Sequence, residues 1–394
     1  MLTPLPVTVV TPYVPRYRVP FFLRLGEDLA AHGLRLTVAY GAPTGHVTHR
    51  ADDVGLSAGT AVPLRQRSLR LRGRVLVWHD LGDLARTSGA VVVDQALHQL
   101  EAYPLLVPPR ALRGRGPAVA LWGHGRTYNG GAGRLARHAK AALTRRADWF
   151  FAYTDAGRRH VAEAGFPAER VTVVRNSTDT TALTAASARL TEDRLQAFRT
   201  HHGLVPGRTA MFIGGLDTAK RIPFLLEAAE LVHRQLPGFR LLVAGQGAQR
   251  HLVDEAVRRG APVVPLGPVA TDEGKALLGA VSDVALLPGA IGLAAVDALA
   301  LATPVVTVPA AGHGPEFEYL EHGRTAVVVR GQEARAYADA VVDLLADGPR
   351  LAAMRAACRQ DAGRYSVEEM SRRFAEGLAQ LVRAPRQSGP RPTG

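Results

Sequence analysis

The sequence predicts an α/β protein of two domains, each built on a doubly wound parallel sheet. Three observations predict it. The chain has 394 residues, more than one ordinary core holds, so two domains are expected. Short continuous apolar runs recur in both halves, as strands buried on both faces do. Helical patterns separate those runs, which is the βαβ rhythm of a parallel sheet.

In the first half, strands are expected at "VTVV" (7–10), "RLTVAY" (35–40), "AVVVDQ" (90–95), "AVALWG" (118–123), "WFFAYT" (149–154) and "VTVV" (171–174). Helical patterns occupy 20–33 and 132–147. The polar-leaning stretch 180–207, with a helical middle, reads as the connector, so the first domain is set at 1–190. A second series of strands follows at 209–215, 240–245, 262–267, 283–289, 304–308 and 325–329, which sets the second domain at 191–365. Residues 366–384 read as an amphipathic helix, and the Pro- and Gly-containing tail 385–394 as disordered. Ligands of such sheets bind beyond the carboxyl ends of the strands, and two such domains are expected to face each other across a cleft.

Composition narrows the class. Hydrophobic residues make up 47% and charged residues 21%, a foldable globular balance. The single cysteine, Cys358, excludes an intramolecular disulfide and fits a reducing cytoplasm. The N-terminus has no basic region ahead of an apolar core, so no signal peptide is expected, and no apolar run is long enough to span a bilayer. The net charge of +13 is lopsided: residues 1–190 carry 25 Lys and Arg against 13 Asp and Glu, residues 191–394 carry 23 against 22. Solvated surface arginines explain part of this, and Lys140 is the one lysine among those 25 basic residues. The functional reading is an anionic partner, such as a membrane face, a phosphorylated lipid or nucleic acid. Nucleic acid is not expected, because no aromatic–basic interleaving accompanies the charge.

Two stretches of the second half carry chemistry. "FIGGLDTAKR" (212–221) leaves a strand, turns on Gly214 and Gly215 and brings Lys220 and Arg221 to a helix start. Glycines let a phosphate approach the backbone, and lysine adds a compact charge. "PGAIGLAAVDALALATPVV" (288–306) turns at Gly289 and opens a helix whose amides at Ile291, Gly292 and Leu293 form an anion site. Asp297 is the lone acid of that apolar helix, one turn inside, where a carboxylate accepts hydrogen bonds from ribose hydroxyls. Two phosphate loops and an acid together read as a nucleoside diphosphate site.

These motifs resemble the donor domain of retaining glycosyltransferase family 4, the group 1 glycosyl transferases of the GT-B fold. The turn "GGLDTAK", the run "GAIGLAAVDALALATPVV" and the segment "HGPEFEYLEHGRTAVVV" (313–329) carry the resemblance, which covers most of residues 170–345. It departs in three places: Gly215 stands for the family's arginine, Gly289 for its first glutamate and Asp297 for its second. The resemblance implies two Rossmann-like domains, acceptor-binding then donor-binding, with helix 366–384 packed back on the first. It implies a nucleoside diphosphate sugar as co-substrate, with uracil the leading base and guanine the alternative, and neither cofactor nor metal. The reaction implied retains the anomeric configuration, and the leaving diphosphate takes the acceptor proton. Lys220, His124 and Asp297 are the implied catalytic residues. Gly214, Gly215, Arg221, Gly289, Ile291, Gly292 and Leu293 complete the donor site.

For the acceptor, the loop "TPYVPRYRVPFF" (11–22) offers Tyr13, Arg16, Tyr17 and Arg18. "LWGHGRTYNGG" (121–131) offers His124 at a strand end, with Arg126 beside it. Asn176 and Asp179 read as loop-ordering residues. The acid pair in "ADDVG" (51–55) reads as a solvated loop. The expected location is cytoplasmic, with peripheral contact at the inner membrane face through the basic half. Two other readings share the fold: a non-catalytic relative that only binds nucleotide sugar, and a nucleotide-sugar epimerase.

Overall fold

The computed structural model describes residues 3–44, 56, 60–71, 74–108, 116–126, 133–309 and 312–384. The tail 385–394 and the acid pair at 52–53 lie outside them. The chain forms two compact units, 1–176 with 367–394, and 177–366.

The first unit holds strands β1 (Leu5–Thr11), β2 (Leu34–Tyr40), β3 (Ala61–Pro63), β4 (Arg65–Leu71), β5 (Arg74–Asp80), β6 (Ala90–Asp94), β7 (Ala118–Gly123), β8 (Trp149–Ala152) and β9 (Val171–Val173). Seven of them make a parallel sheet in the order β3-β2-β1-β6-β7-β8-β9. The apolar runs of β1, β6 and β7 sit at its centre, where Val7, Val9, Val91, Val92 and Ala120 are fully buried. Strands β4 and β5 form a separate antiparallel hairpin. The sequence reading missed β3, β4 and β5. β3 is only three residues long and β4 is mostly exposed and arginine-rich, so no apolar run marks either, whereas β5 carries an apolar run at 75–78 that the reading passed over.

The helix Val367–Arg383 belongs to this unit, although it is last in the chain. Phe374 stacks on Phe151 with ring centroids 4.1 Å apart and meets Trp122 edge-on at 5.2 Å. Close approach depends on Gly377, where an added Cβ would stand 2.5 Å from Thr172 Oγ1 and 2.6 Å from Phe151 Cε1. Ser371 donates a hydrogen bond to Asp28 of the helix Val19–Ala31.

The second unit holds β10 (Thr209–Ile213), β11 (Arg240–Ala244), β12 (Val263–Gly267), β13 (Val284–Leu286), β14 (Val305–Thr307) and β15 (Ala326–Val328), all parallel, in the order β12-β11-β10-β13-β14-β15. The chain runs outward from β10 to β12, then returns to the other side of β10 at β13. The switch point therefore lies between β10 and β13. The expected domain boundary near residue 190 is corrected to 176/177. The helix Thr180–Ala188 packs Leu183 and Ala186 against Ala276 of the second unit, so the connector's first helix belongs there.

Candidate active site

Three loops converge at the carboxyl ends of the second unit's central strands. After β10, the Gly214 amide donates to Ala244 O and the Leu216 amide to Gln246 O, at 3.0 and 2.9 Å. A Cβ on Gly245 would stand 2.0 Å from Gly214 O, so backbone lies directly on backbone here. After β13, the Ala290 amide donates to Ala219 O at 2.8 Å, and Lys220 Nζ returns a hydrogen bond to Ala290 O. Lys220 and the 289–293 turn are thus locked together at the switch point.

Gly289 explains one departure from the family. A Cβ there would meet Ala219 O and the Lys220 carbonyl carbon at 2.4 Å each, both of them main-chain atoms. The turn has closed over the place where the family carries a glutamate side chain. Gly215 is different: its added Cβ meets only the Asp217 carboxylate at 3.0 Å, the far end of a side chain.

Of the three amides expected to form an anion site, not all are free. The Ile291 amide is not free, because it donates to His313 Nδ1 at 3.2 Å. That leaves the His313 proton on Nε2, which donates to Val308 O at 2.8 Å. Burial first, and then the nearby Lys220 charge, lower the His313 pKa, against the opposing Val308 bond. Among the described residues, the Gly292 and Leu293 amides have no acceptor in the chain. The helix they precede, Ala294–Ala300, begins with Leu293 as its cap.

Arg221 is engaged by its neighbours in the chain. It adopts a left-handed backbone at φ 56°. Its guanidinium lies 4.2 Å from the Phe224 ring centroid and donates to Gln332 Oε1 at 2.7 Å and Pro288 O at 3.4 Å. It braces the turn from behind. Asp297 is held as well: Oδ2 pairs with Lys275 Nζ at 2.7 Å, and Oδ1 accepts from Thr178 Oγ1 at 3.1 Å. It is an anchored carboxylate with lone pairs to spare.

The first unit has a cavity of about 480 Å³ at the carboxyl ends of β1, β6 and β7, lined by Tyr13, Tyr17, Arg18, Asp94, Trp122 and His124 among others. Arg18 is buried, donates to Asn176 Oδ1 and sits 5.0 Å from the Trp122 ring centroid. It is therefore a satisfied cation in an aromatic cage, and Asn176 orders it. Arg16 is exposed and does not line the cavity, because the short helical turn Arg16–Arg18 points it outward. Arg126 lines a neighbouring depression instead, with Arg137 and Lys140.

His124 opens into the cavity with its ring 4.5 Å from Tyr153. Crowding by the walls first, and then the charges of Lys140 and Arg18, lower its pKa and keep the ring neutral. Asp94 went unnoticed in the sequence. Burial, and then the Glu101 charge, push its carboxyl up to about 7, against opposing contributions from Gln99, Arg18 and His79. The signal was present: Asp94 ends a run of four apolar residues, at the carboxyl end of a strand where ligands bind. His313 and Glu316 were also missed as site residues. Glu316 is buried, and its Oε2 would lie 3.6 Å from a Cβ placed on Gly292.

Residues 207–347 match the family profile described as Glycosyl transferases group 1. A D-inositol 3-phosphate glycosyltransferase of Thermobispora bispora is 31% identical over 225 residues, 53% of this chain and 50% of that one. One from Corynebacterium urealyticum is 29% identical over 260 residues, 62% of this chain and 59% of that one. The chain thus spans about half the length of the curated relatives it matches. Among solved structures, a Rickettsia africae glycosyltransferase superposes with a TM-score of 0.68 at 15% identity, covering 96% of this chain and 98% of that one. The Anabaena HepE protein in complex with UDP gives 0.64 at 16% identity, covering 95% and 100%. The fold is that of GT-B glycosyltransferases, and residues 207–347 of the second unit are similar to the glycosyl transferases group 1 family.

Proposed function

We propose that this protein transfers a sugar from a nucleoside diphosphate sugar to an acceptor hydroxyl or amine, with the anomeric configuration retained. One observation carries the reading: at the switch point, Lys220 is tied to the 289–293 turn, and the amides of Gly292 and Leu293 are left unpaired beside it. A cation and two oriented donors in one place suit the charge that develops on a leaving diphosphate. Asp297, fixed by Lys275 and Thr178, takes the ribose hydroxyls. With no side chain at Gly289, Glu316 beside Gly292 is the acid placed to accept from a donor-sugar hydroxyl. The first unit's cavity takes the acceptor, with His124 and Asp94 on its wall and the leaving diphosphate receiving the acceptor's proton. No metal is needed for this charge balance. Uridine diphosphate is the leading nucleotide, because the HepE structures hold UDP and UDP-glucose. The names of the curated relatives make a phosphorylated cyclitol the first acceptor to test.

Lys220→Ala should weaken UDP binding by about 1.5–3 kcal/mol, the worth of a charge-assisted hydrogen bond, read by titration calorimetry. Asp297→Asn keeps the side-chain volume and should weaken nucleotide binding while the protein stays folded. If neither variant changes binding or turnover, the donor site is elsewhere.

The closed turn at Gly289 favours a second reading, a relative that binds the donor without turning it over. Incubation of the purified chain with UDP-glucose and no acceptor separates them. Slow release of UDP supports a transferase, and its complete absence supports the binding-only reading.

A further inference from the structure

Three buried polar atoms, on residues that line the first unit's cavity, have no hydrogen-bond partner among the described residues: Gln95 Oε1, Gln99 Oε1 and Trp122 Nε1. Gln99 and Trp122 are each 4% exposed. Buried polar atoms are nearly always paired, so such atoms on a cavity wall are places for a ligand's hydrogen bonds. The Gln95 amide has one orientation. Thr144 Oγ1 gives its single proton to Lys140 O at 2.8 Å, so it can only accept from Gln95, whose Nε2 donates to it at 2.8 Å. Gln95 Oε1 is therefore left as an acceptor. Gln99 Nε2 lies 3.5 Å from Asp94 Oδ2, which leaves Gln99 Oε1 as a second acceptor. Trp122 Nε1 can only donate.

The charges on the same walls are already answered. The Arg18 guanidinium donates to Asn176 Oδ1, and the rings of Tyr17, Phe21, Trp122 and Tyr153 lie between 5.0 and 5.9 Å from it. Burial first, and then the Lys140 and Arg18 charges, keep His124 neutral. Burial, and then the Glu101 charge, push the Asp94 carboxyl up to about 7, so it holds a proton for part of the time at neutral pH. A phosphate dianion brings only acceptors, and it would face two amide oxygens and a carboxyl. An ammonium suits those oxygens, but it would enter beside Arg18, among rings that already hold one cation. A hydroxyl both donates and accepts. Neighbouring hydroxyls of one ring satisfy both glutamine oxygens and the Trp122 N–H without adding a charge, and a site built this way discriminates strongly against groups that leave its buried polar atoms unpaired.

We propose, on the reading that this cavity takes the acceptor, that the part of the acceptor it encloses is an uncharged polyol, selected by Gln95, Gln99 and Trp122. The full chain, isotopically labelled at nitrogen, is titrated in turn with glucose, myo-inositol, the monophosphate of each, and glucosamine, and the tryptophan indole N–H signals are followed by NMR. Trp122→Phe assigns the Trp122 signal by its loss. Glucose or myo-inositol should move that signal and leave the Trp149 signal in place, because Trp149 Nε1 already donates to Thr172 Oγ1 at 2.9 Å. Gln99→Leu and Gln95→Met should each weaken the response about three- to tenfold, the worth of one hydrogen bond between uncharged groups. The comparison of each polyol with its monophosphate is made on the wild type, so it stands even where a variant fails to fold. A monophosphate that moves the Trp122 signal at about a tenfold lower concentration than its parent polyol overturns the proposal. So does glucosamine acting at a lower concentration than glucose, which would make the bound group an amine. No response to either polyol overturns it as well, and an unchanged response in both folded glutamine variants removes those residues from the site. Titration of the same sample with UDP separates this from the donor-site reading: a UDP response without a polyol response refutes the polyol cavity alone, and the reverse refutes the donor site alone.

Discussion

At the scale of single residues, two glycines replace family residues and differ in what they permit. Gly289→Glu would drive a side chain into the Ala219–Lys220 main chain and should disrupt the turn. We expect a loss of about 1–3 kcal/mol, the usual cost of overpacking, together with loss of UDP binding. Gly215→Arg meets only the Asp217 carboxylate. It should fold as wild type and bind UDP more tightly, read by urea melts and calorimetry. Asp94 makes a pH prediction. Its carboxyl rises on folding from 3.8 to about 7, so between those values the native state keeps a proton the unfolded chain has lost. Stability therefore falls as pH rises through this window and levels off above it. Asp94→Asn should flatten that slope, measured as urea midpoints from pH 4 to 8, and identical slopes in both proteins contradict the shift.

At the scale of elements, the helix Val367–Arg383 shows how a distant segment completes a core. Phe374 is fully buried against Phe151, Trp122 and Phe21. Phe374→Ala should cost about 3–5 kcal/mol. Gly377→Ala adds one methyl where Thr172 and Phe151 leave no room, and should cost about 1–3 kcal/mol despite the better helix propensity of alanine. Melts of both variants test this; a neutral Gly377→Ala would mean the helix can shift away from the sheet. The buried strands were legible in the sequence because burial on both faces forces continuous apolar runs, as in β6 and β10. Strand β4 was not, since its residues are arginine, leucine and polar groups in water, and without it the short apolar run 75–78 of β5 had no visible partner. In the loops after β10 and β13, the turns and the position of Lys220 were legible from spacing. What each side chain meets was not: Ile291 bound to His313, Arg221 turned to Gln332 and Asp297 anchored by Lys275 are all long-range pairings. No local pattern encodes them.

At the scale of the whole molecule, the proposed function assigns nucleotide to the second unit and acceptor to the first. Ligand binding to one native unit stabilises that unit by mass action. The most direct test is a thermal-shift comparison of the wild type and Lys220→Ala against UDP, GDP, ADP and dTDP. At ligand concentrations near 100 times the dissociation constant, the wild type should gain about 2.7 kcal/mol with one nucleotide, UDP, and Lys220→Ala should lose most of that gain. An equal shift in both proteins, or no shift with any of the four nucleotides, would contradict a donor site built on Lys220 and the 289–293 turn.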